Sequence, residues 1–164
     1  MLPQRRSAGF TVIELMITVA VLAVVAVIAV PSFQSIIERN QTATQANGLL
    51  SALQFARSEA VKRGETVRLS EDTAGFDTGW CVHTGTSCDS TTAIREFEKA
   101  GSVTVSSAET EVVFSSRGER VPQSNTNITI NVQPSSCTTG EVGRSSVIEI
   151  SLSGRSEVVK GDCL

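Results

Sequence analysis

The sequence is poor in the side chains that most chemistry needs. It has no tyrosine, one tryptophan and one histidine, and aromatic residues make up only 4% of the chain. A single imidazole, His83, cannot furnish a multi-histidine metal site. On an alternating strand it falls on the face opposite Val82, where a polar surface role is expected instead of general-base work. The four cysteines, Cys81, Cys88, Cys137 and Cys163, include no Cys-x-x-Cys pair, so zinc is disfavoured and no metal site is expected. No P-loop or nucleophile elbow occurs, and Asp72 and Asp77 lack the spacing of a calcium loop. No cofactor is therefore expected, and the chain reads as a structural protein, not an enzyme. Positive charge is not in excess either: the formal net charge is −3, unlike that of general polyanion binders. Internal repeats and low-complexity linkers are missing too, and 164 residues suffice for one long helix and one modest domain.

What the chain does have is a long apolar run from Phe10 to Val30, broken by one charge, Glu14. As a helix it extends roughly 31 Å, matching a hydrocarbon core of about 30 Å, so one helix can cross a membrane once. A secretory signal would place its cleavage site after the apolar region, whereas here the short basic leader, Met1 to Gly9, precedes it. Cleavage after Gly9 leaves the apolar helix on the mature protein and, with Arg5 and Arg6 removed, lowers the net charge from −3 to −5. Arg5 and Arg6 favour a cytoplasmic N-terminus, with the C-terminal domain outside the cytoplasm. A carboxylate deep in a bilayer costs about 2.5–3.5 kcal/mol, less near an end, so Glu14 should have a partner or a job. An α-amine on Phe10 would lie four residues before Glu14, on the same helical face.

Gly9-Phe10-Thr11-Val12-Ile13-Glu14-Leu15, after a leader carrying Arg5 and Arg6, resembles the type III signal of type IV pilins and type II secretion pseudopilins. The resemblance implies cleavage between Gly9 and Phe10 by a prepilin peptidase and N-methylation of Phe10. It also implies an assembly role for Glu14 and a helix kink at Pro31. Further along, Phe55-Ala56-Arg57-Ser58-Glu59-Ala60-Val61-Lys62-Arg63-Gly64 is similar to the end of the long helix in the GspH/FimT group, which includes the pseudopilin GspH and the minor pilins FimU and FimT. The implied fold is α+β and type IV pilin-like, a long N-terminal helix packed on a largely antiparallel β-sheet domain. The expected divisions are a leader (1–9), a transmembrane helix (10–31), an amphipathic second half of the long helix (32–64) and a disulfide-bonded β-rich domain (65–164).

The residues support that outline independently. Leu49, Leu53, Ala56 and Ala60 recur at i, i+4, i+7 and i+11, joined by Leu50 and Val61, while Glu38, Arg39, Arg57, Glu59, Lys62 and Arg63 occupy other faces. Gly64 is a good stop. Pro31 should loosen or bend the helix near Val27 to Ser32 without breaking it. Beyond Gly64 the periodicity approaches two. Strands are expected at Thr66–Ser70, Trp80–Thr84, Ile94–Phe97, Val103–Val105, Val112–Ser115, Ile128–Val132, Val147–Leu152 and Arg155–Val159, with Ser153-Gly154 as a tight turn between the last two. The segments Gly75–Gly79 and Pro134–Gly143 are expected as loops that choose neighbouring subunits.

An even number of cysteines in a domain outside the cytoplasm argues for two disulfides, with three connectivities open. Cys81–Cys88, closing a short loop, and Cys137–Cys163, tying back the C-terminus, are favoured. In the chain-entropy model they contribute about 2.5 and about 3.5 kcal/mol.

Relatives of the FimT type are associated with DNA uptake through a C-terminal Gly-Arg-x-Arg string. The nearest match is Gly154-Arg155-Ser156-Glu157, where Glu157 replaces the second arginine and can pair with Arg155. Arg155 is thus a weak DNA candidate, and Arg117, Arg120, Arg144 and Lys160 are diluted by acidic neighbours. The resemblance favours a FimU-like minor pilin, held in the inner membrane and assembled with other minor pilins, the major pilin or a pilus adhesin at a pilus tip. A GspH-like minor pseudopilin of type II secretion and a DNA-binding competence pilin are the alternatives.

Overall fold

The computed structural model describes residues 9–72, 75–89, 91–122 and 125–164, apart from the side chains of residues 31 and 32. The leader arginines Arg5 and Arg6 lie outside the described residues. One helix, α1 (Val12–Arg63), precedes eight strands among the described residues: β1 (Val67–Asp72), β2 (Gly75–His83), β3 (Ala93–Glu98), β4 (Val103–Ser107), β5 (Glu111–Phe114), β6 (Ile128–Pro134), β7 (Ser145–Ile150) and β8 (Ser156–Gly161). Helical backbone continues through Pro31. The chain divides into two compact units, residues 1–37 and 38–164.

In the first unit α1 is apolar on all sides, and its side chains are exposed from Phe10 to Ile37, with Ala29 half-buried and Pro31 and Ser32 set aside. In the second, α1 buries one face: Thr42, Gln45, Ala46, Leu49, Ala52, Leu53, Ala56, Glu59 and Ala60. The alanines on this face and the larger Leu49 and Leu53 pack in one core with strand side chains. Two expectations on this helix are corrected. Val61 is 53% exposed and not part of the buried stripe, whereas Glu59 is 8% exposed and faces inward. Glu59 is tolerated there because Arg63 (2.7 Å) and Lys62 (3.3 Å) donate to its carboxylate. Gly64 ends the helix at φ +68°, its N–H bonded to the Ala60 carbonyl.

The strands form two four-stranded sheets, ordered β3-β2-β1-β5 and β4-β6-β7-β8. Every named pairing within them is antiparallel. Val67, Leu69, Val82, Val112 and Phe114 of the first and Val103, Val105, Ile128, Ile130, Val132, Ile148 and Ile150 of the second share one core with the helix. Asp77 joins the sheets: its carboxylate accepts from the Val105 N–H (3.0 Å) and from Lys99 (2.9 Å), which also donates to the Val103 carbonyl. Burial works against the Asp77 carboxylate, but these donors hold it below the usual range. Residues Gly75–Gly79 are therefore strand, not a recognition loop, because β2 begins at Gly75 and pairs with β1 there.

The connection of the β7–β8 hairpin is longer than the expected Ser153-Gly154 turn. β7 ends at Ile150 and β8 starts at Ser156, so Leu152 lies in the turn. The Gly154 N–H reaches the Ser151 carbonyl with Gly154 at φ +78°, the geometry of a turn closed by a left-handed residue. A Cβ on Gly154 would also collide with the Gly118 carbonyl, so this position needs glycine for two reasons.

Candidate functional site

The N-terminal segment carries the residues of the expected processing signal. Gly9 and Phe10 precede α1 and are exposed. Thr11 caps the helix: its hydroxyl accepts the Glu14 N–H (3.2 Å) and its carbonyl accepts the Leu15 N–H (3.2 Å). Thr11 and Glu14 have capping-box spacing, and Glu14 lies in the first turn, where the helix dipole favours a negative charge. The pattern Thr-x-x-Glu before an apolar run is the sequence signal for this cap, which hydropathy alone passes over. From Leu15 to Ile37 no residue is charged, and Phe33, Ile36 and Ile37 are exposed beyond Pro31. The exposed apolar surface thus continues past Val30. Among the described residues, α1 is the one helix long and apolar enough to cross a membrane. Such a surface calls for lipid or other helices to cover it.

In the second unit the C-terminal region is fastened to α1. The Arg144 guanidinium donates to Glu38 of α1 (2.8 Å) and to Glu141 (2.7 Å), and Ser136 donates to the same Glu38 carboxylate (2.9 Å). The Thr138 N–H and, behind it, Arg144 hold the Glu141 carboxyl below its usual range against partial burial. Cys137 and Cys163 are bonded with Cα atoms 5.7 Å apart, and the Cys163 N–H bonds to the Glu141 carbonyl. The Cys137 and Cys163 sulfurs lie close to the Glu141 carboxylate, but bonded to each other they are not thiolate ligands.

On the first sheet's outer face, Cys81 is bonded to Cys88, with Cα atoms 6.1 Å apart, and the loop between β2 and β3 is pinned by Asp89, whose carboxylate accepts from the Thr91 hydroxyl and from the Thr91 and Thr92 N–H groups. Those donors hold Asp89 far below the usual carboxylate range. His83 is 0% exposed here, not a surface residue, and its Nε2 lies 2.6 Å from the Ser70 hydroxyl. Burial, and then the nearby Arg68 charge, lower its pKa. Arg68 is itself paired with Glu111 (2.9 Å). A cleft of about 480 Å³ adjoins this face, lined by Arg68, Ser70, Asp72, Thr86 and Glu111 among others, but His83 does not line it. Ser70 thus lines the cleft, and His83 packs behind it as its buried polar partner.

The candidate basic residues are mostly occupied. Arg155 pairs with Glu157 (2.6 Å), and Arg117 with Glu119 (3.2 Å). Arg120 is buried and donates to the Thr126 carbonyl. Arg144 and Lys160 do come together, in a groove with Arg39 of α1.

An exposed apolar helix with a capped glutamate in its first turn, continuing into a disulfide-bonded antiparallel domain, defines the class: a type IV pilin-like protein. The prokaryotic N-terminal methylation motif matches residues 4–30, and the family model described as Type II transport protein GspH matches residues 45–154. The chain belongs to this GspH family. Among curated proteins it is similar to a type IV major alpha-pilin of Moraxella bovis, 42% identical over 66 residues, or 40% of this chain and 41% of that one. It also matches a fimbrial protein of Pseudomonas aeruginosa, 42% identical over 59 residues, covering 36% and 38% of the two chains. The chain thus spans about two-fifths of the length of these curated relatives. Among solved structures its fold is similar to the type IV minor pilin FimU of P. aeruginosa, with TM-score 0.61 and 24% identity over 74% of this chain and 90% of that one. It is also similar to the minor pseudopilin EpsH of the Vibrio cholerae type 2 secretion system, with TM-score 0.53 and 14% identity over 73% and 97%. These proteins are named as pilins, fimbrial proteins and a pseudopilin, not as enzymes.

Proposed function

We propose that the chain is a minor type IV pilin that joins a minor-pilin complex, primes pilus assembly and sits at the pilus tip. The observation that carries this reading is the exposed, uncharged stretch of α1 between Glu14 and Glu38 on a chain whose remaining helix face is committed to a packed domain. Prepilin peptidase cuts after Gly9, and the new N-terminal Phe10 is methylated. The helix, bent at Pro31, is stored in the inner membrane with its N-terminus cytoplasmic and the β-rich domain periplasmic. Burying the same helix among others in a filament gives little hydrophobic gain over lipid, so packing and the contact of Glu14 with a Phe10 amine supply selectivity. Arg155 is held by Glu157, which supports a subunit role over DNA capture. The pilin and fimbrial names of the curated relatives favour a pilus, while the family description keeps a type II secretion pseudopilin as the second reading.

The test is recovery of the tagged full chain from the envelope of its source cell, with partners identified by mass spectrometry. Minor pilins, the major pilin or a pilus adhesin are expected. Secretion pseudopilins in their place would move the chain to a type II secretion system, and retention on DNA at physiological salt would support a competence role.

A further inference from the structure

We propose that the groove between α1 and the β7–β8 pair binds the phosphate of an anionic phospholipid headgroup while the chain is stored in the membrane. The inference rests on the reading of α1 as a membrane anchor. The groove has a volume of about 480 Å³ and is lined by Arg39, Asn40, Arg144, Ser146 and Lys160 among others, so all its charges are positive. Ten of the twelve described lysines and arginines have a carboxylate, carbonyl or aromatic partner, including Arg57 on the Ser153 carbonyl and Arg95 over Phe55 and Phe97. Arg39 and Lys160 are the two that make no such contact among the described residues, and both line this groove. Arg144 is committed to Glu38 and Glu141 and positions the groove wall instead of supplying free charge.

Location names the anion. No charge occurs between Glu14 and Glu38, and Arg39 follows Ile37 by two residues, a rise of roughly 3 Å along a helix. In a lipid-stored chain the Arg39 guanidinium therefore falls at headgroup level, where long cationic side chains reach for lipid phosphates. Lys160 and the hydroxyl and amide donors of Ser146 and Asn40 complete a cradle for a phosphodiester. For a chain whose net charge is negative, a local pair of free cations is what an anionic leaflet can attract.

The experiment starts with the full chain on phosphatidylcholine vesicles. Flotation with them is expected; failure to float would overturn the anchor reading and the inference together. The same chain in neutral-detergent micelles is then titrated with phosphatidylglycerol or phosphatidylcholine, and bound lipid is counted by native mass spectrometry. A preference for phosphatidylglycerol is expected, reduced about fivefold by each of Arg39→Gln and Lys160→Gln and unchanged by Arg117→Gln. The absence of a preference, or its persistence in the double variant, would overturn the headgroup site while leaving the anchor intact. Displacement of the bound phosphatidylglycerol by an equal concentration of inorganic phosphate would overturn it in favour of a small-anion site.

Discussion

His83 is the one imidazole of the chain, and burial shifts its protonation. It is buried against Ser70, and its folded pKa lies below the ordinary 6.5. The unfolded chain therefore takes up the proton first, so the stabilisation from neutral His83 is fully present above pH 6.5 and is lost as pH falls through the lowered folded value. Denaturation followed by the fluorescence of the single, buried Trp80 should show falling stability as pH drops below 6.5, and His83→Asn should flatten that slope. Asp89 and Glu141, both lowered, act in a separate and more acidic window, where their contribution fades as they protonate. The burial of His83 was illegible in the sequence. Alternation placed it opposite Val82, but alternation does not say that a loop bonded through Cys81 and Cys88 covers the second face. Glu59 was misread for a similar reason: its inward position depends on Arg63 and Lys62 turning back to meet it. The partner of Arg155 was legible, since the oppositely charged Glu157 follows it by two residues.

At the scale of elements, α1 beyond Glu38 and the two sheets form a single core in which Leu49 and Leu53 are fully buried. Leu53→Ala should cost about 2–5 kcal/mol in denaturant unfolding, since Leu53 is fully buried in that core. Removing the Cys137–Cys163 bond by Cys163→Ser should cost about 3.5 kcal/mol in the chain-entropy model. It should also raise backbone hydrogen exchange in the segment around Glu141, because the Cys163 N–H and Gly140 N–H bonds close the same loop. Gly154→Ala should be more damaging than an ordinary turn substitution, owing to its left-handed backbone and its approach to the Gly118 carbonyl.

The strands were legible within a residue or two at most ends, because β-branched residues alternate between clear turn signals. β2 was the exception, since Gly75 to Gly79 reads as loop by composition and is held in a strand by its pairing with β1 and the Asp77 bridge to β4. The division into two sheets was also illegible, because antiparallel order depends on long-range pairing that local pattern does not encode.

For the whole molecule, the two units make opposite demands. Residues 38–164 satisfy themselves, with a buried core, two disulfides and a clamp from Arg144 to Glu38. Residues 9–37 expose nearly all their apolar surface and need either lipid or partner helices. The uncharged run was legible from composition alone, and the family signal followed from Gly9 to Leu15. What the sequence did not reveal is that Arg39 and Lys160 share one groove, since these residues lie far apart in the chain and meet through the packing of α1 on β7 and β8.

On the proposed function, the same helix is first stored in lipid and then selected into a filament through Glu14. This selection is tested most directly by expressing Glu14→Ala in the source cell and measuring the processed chain in membrane and sheared-filament fractions. Wild-type cleavage after Gly9 and wild-type membrane levels are expected, with the filament fraction reduced about tenfold or more, the equivalent of roughly 1.4 kcal/mol of lost selectivity. A variant that enters filaments as well as the wild type would contradict this selection, leaving the Thr11–Glu14 cap as the role of that residue.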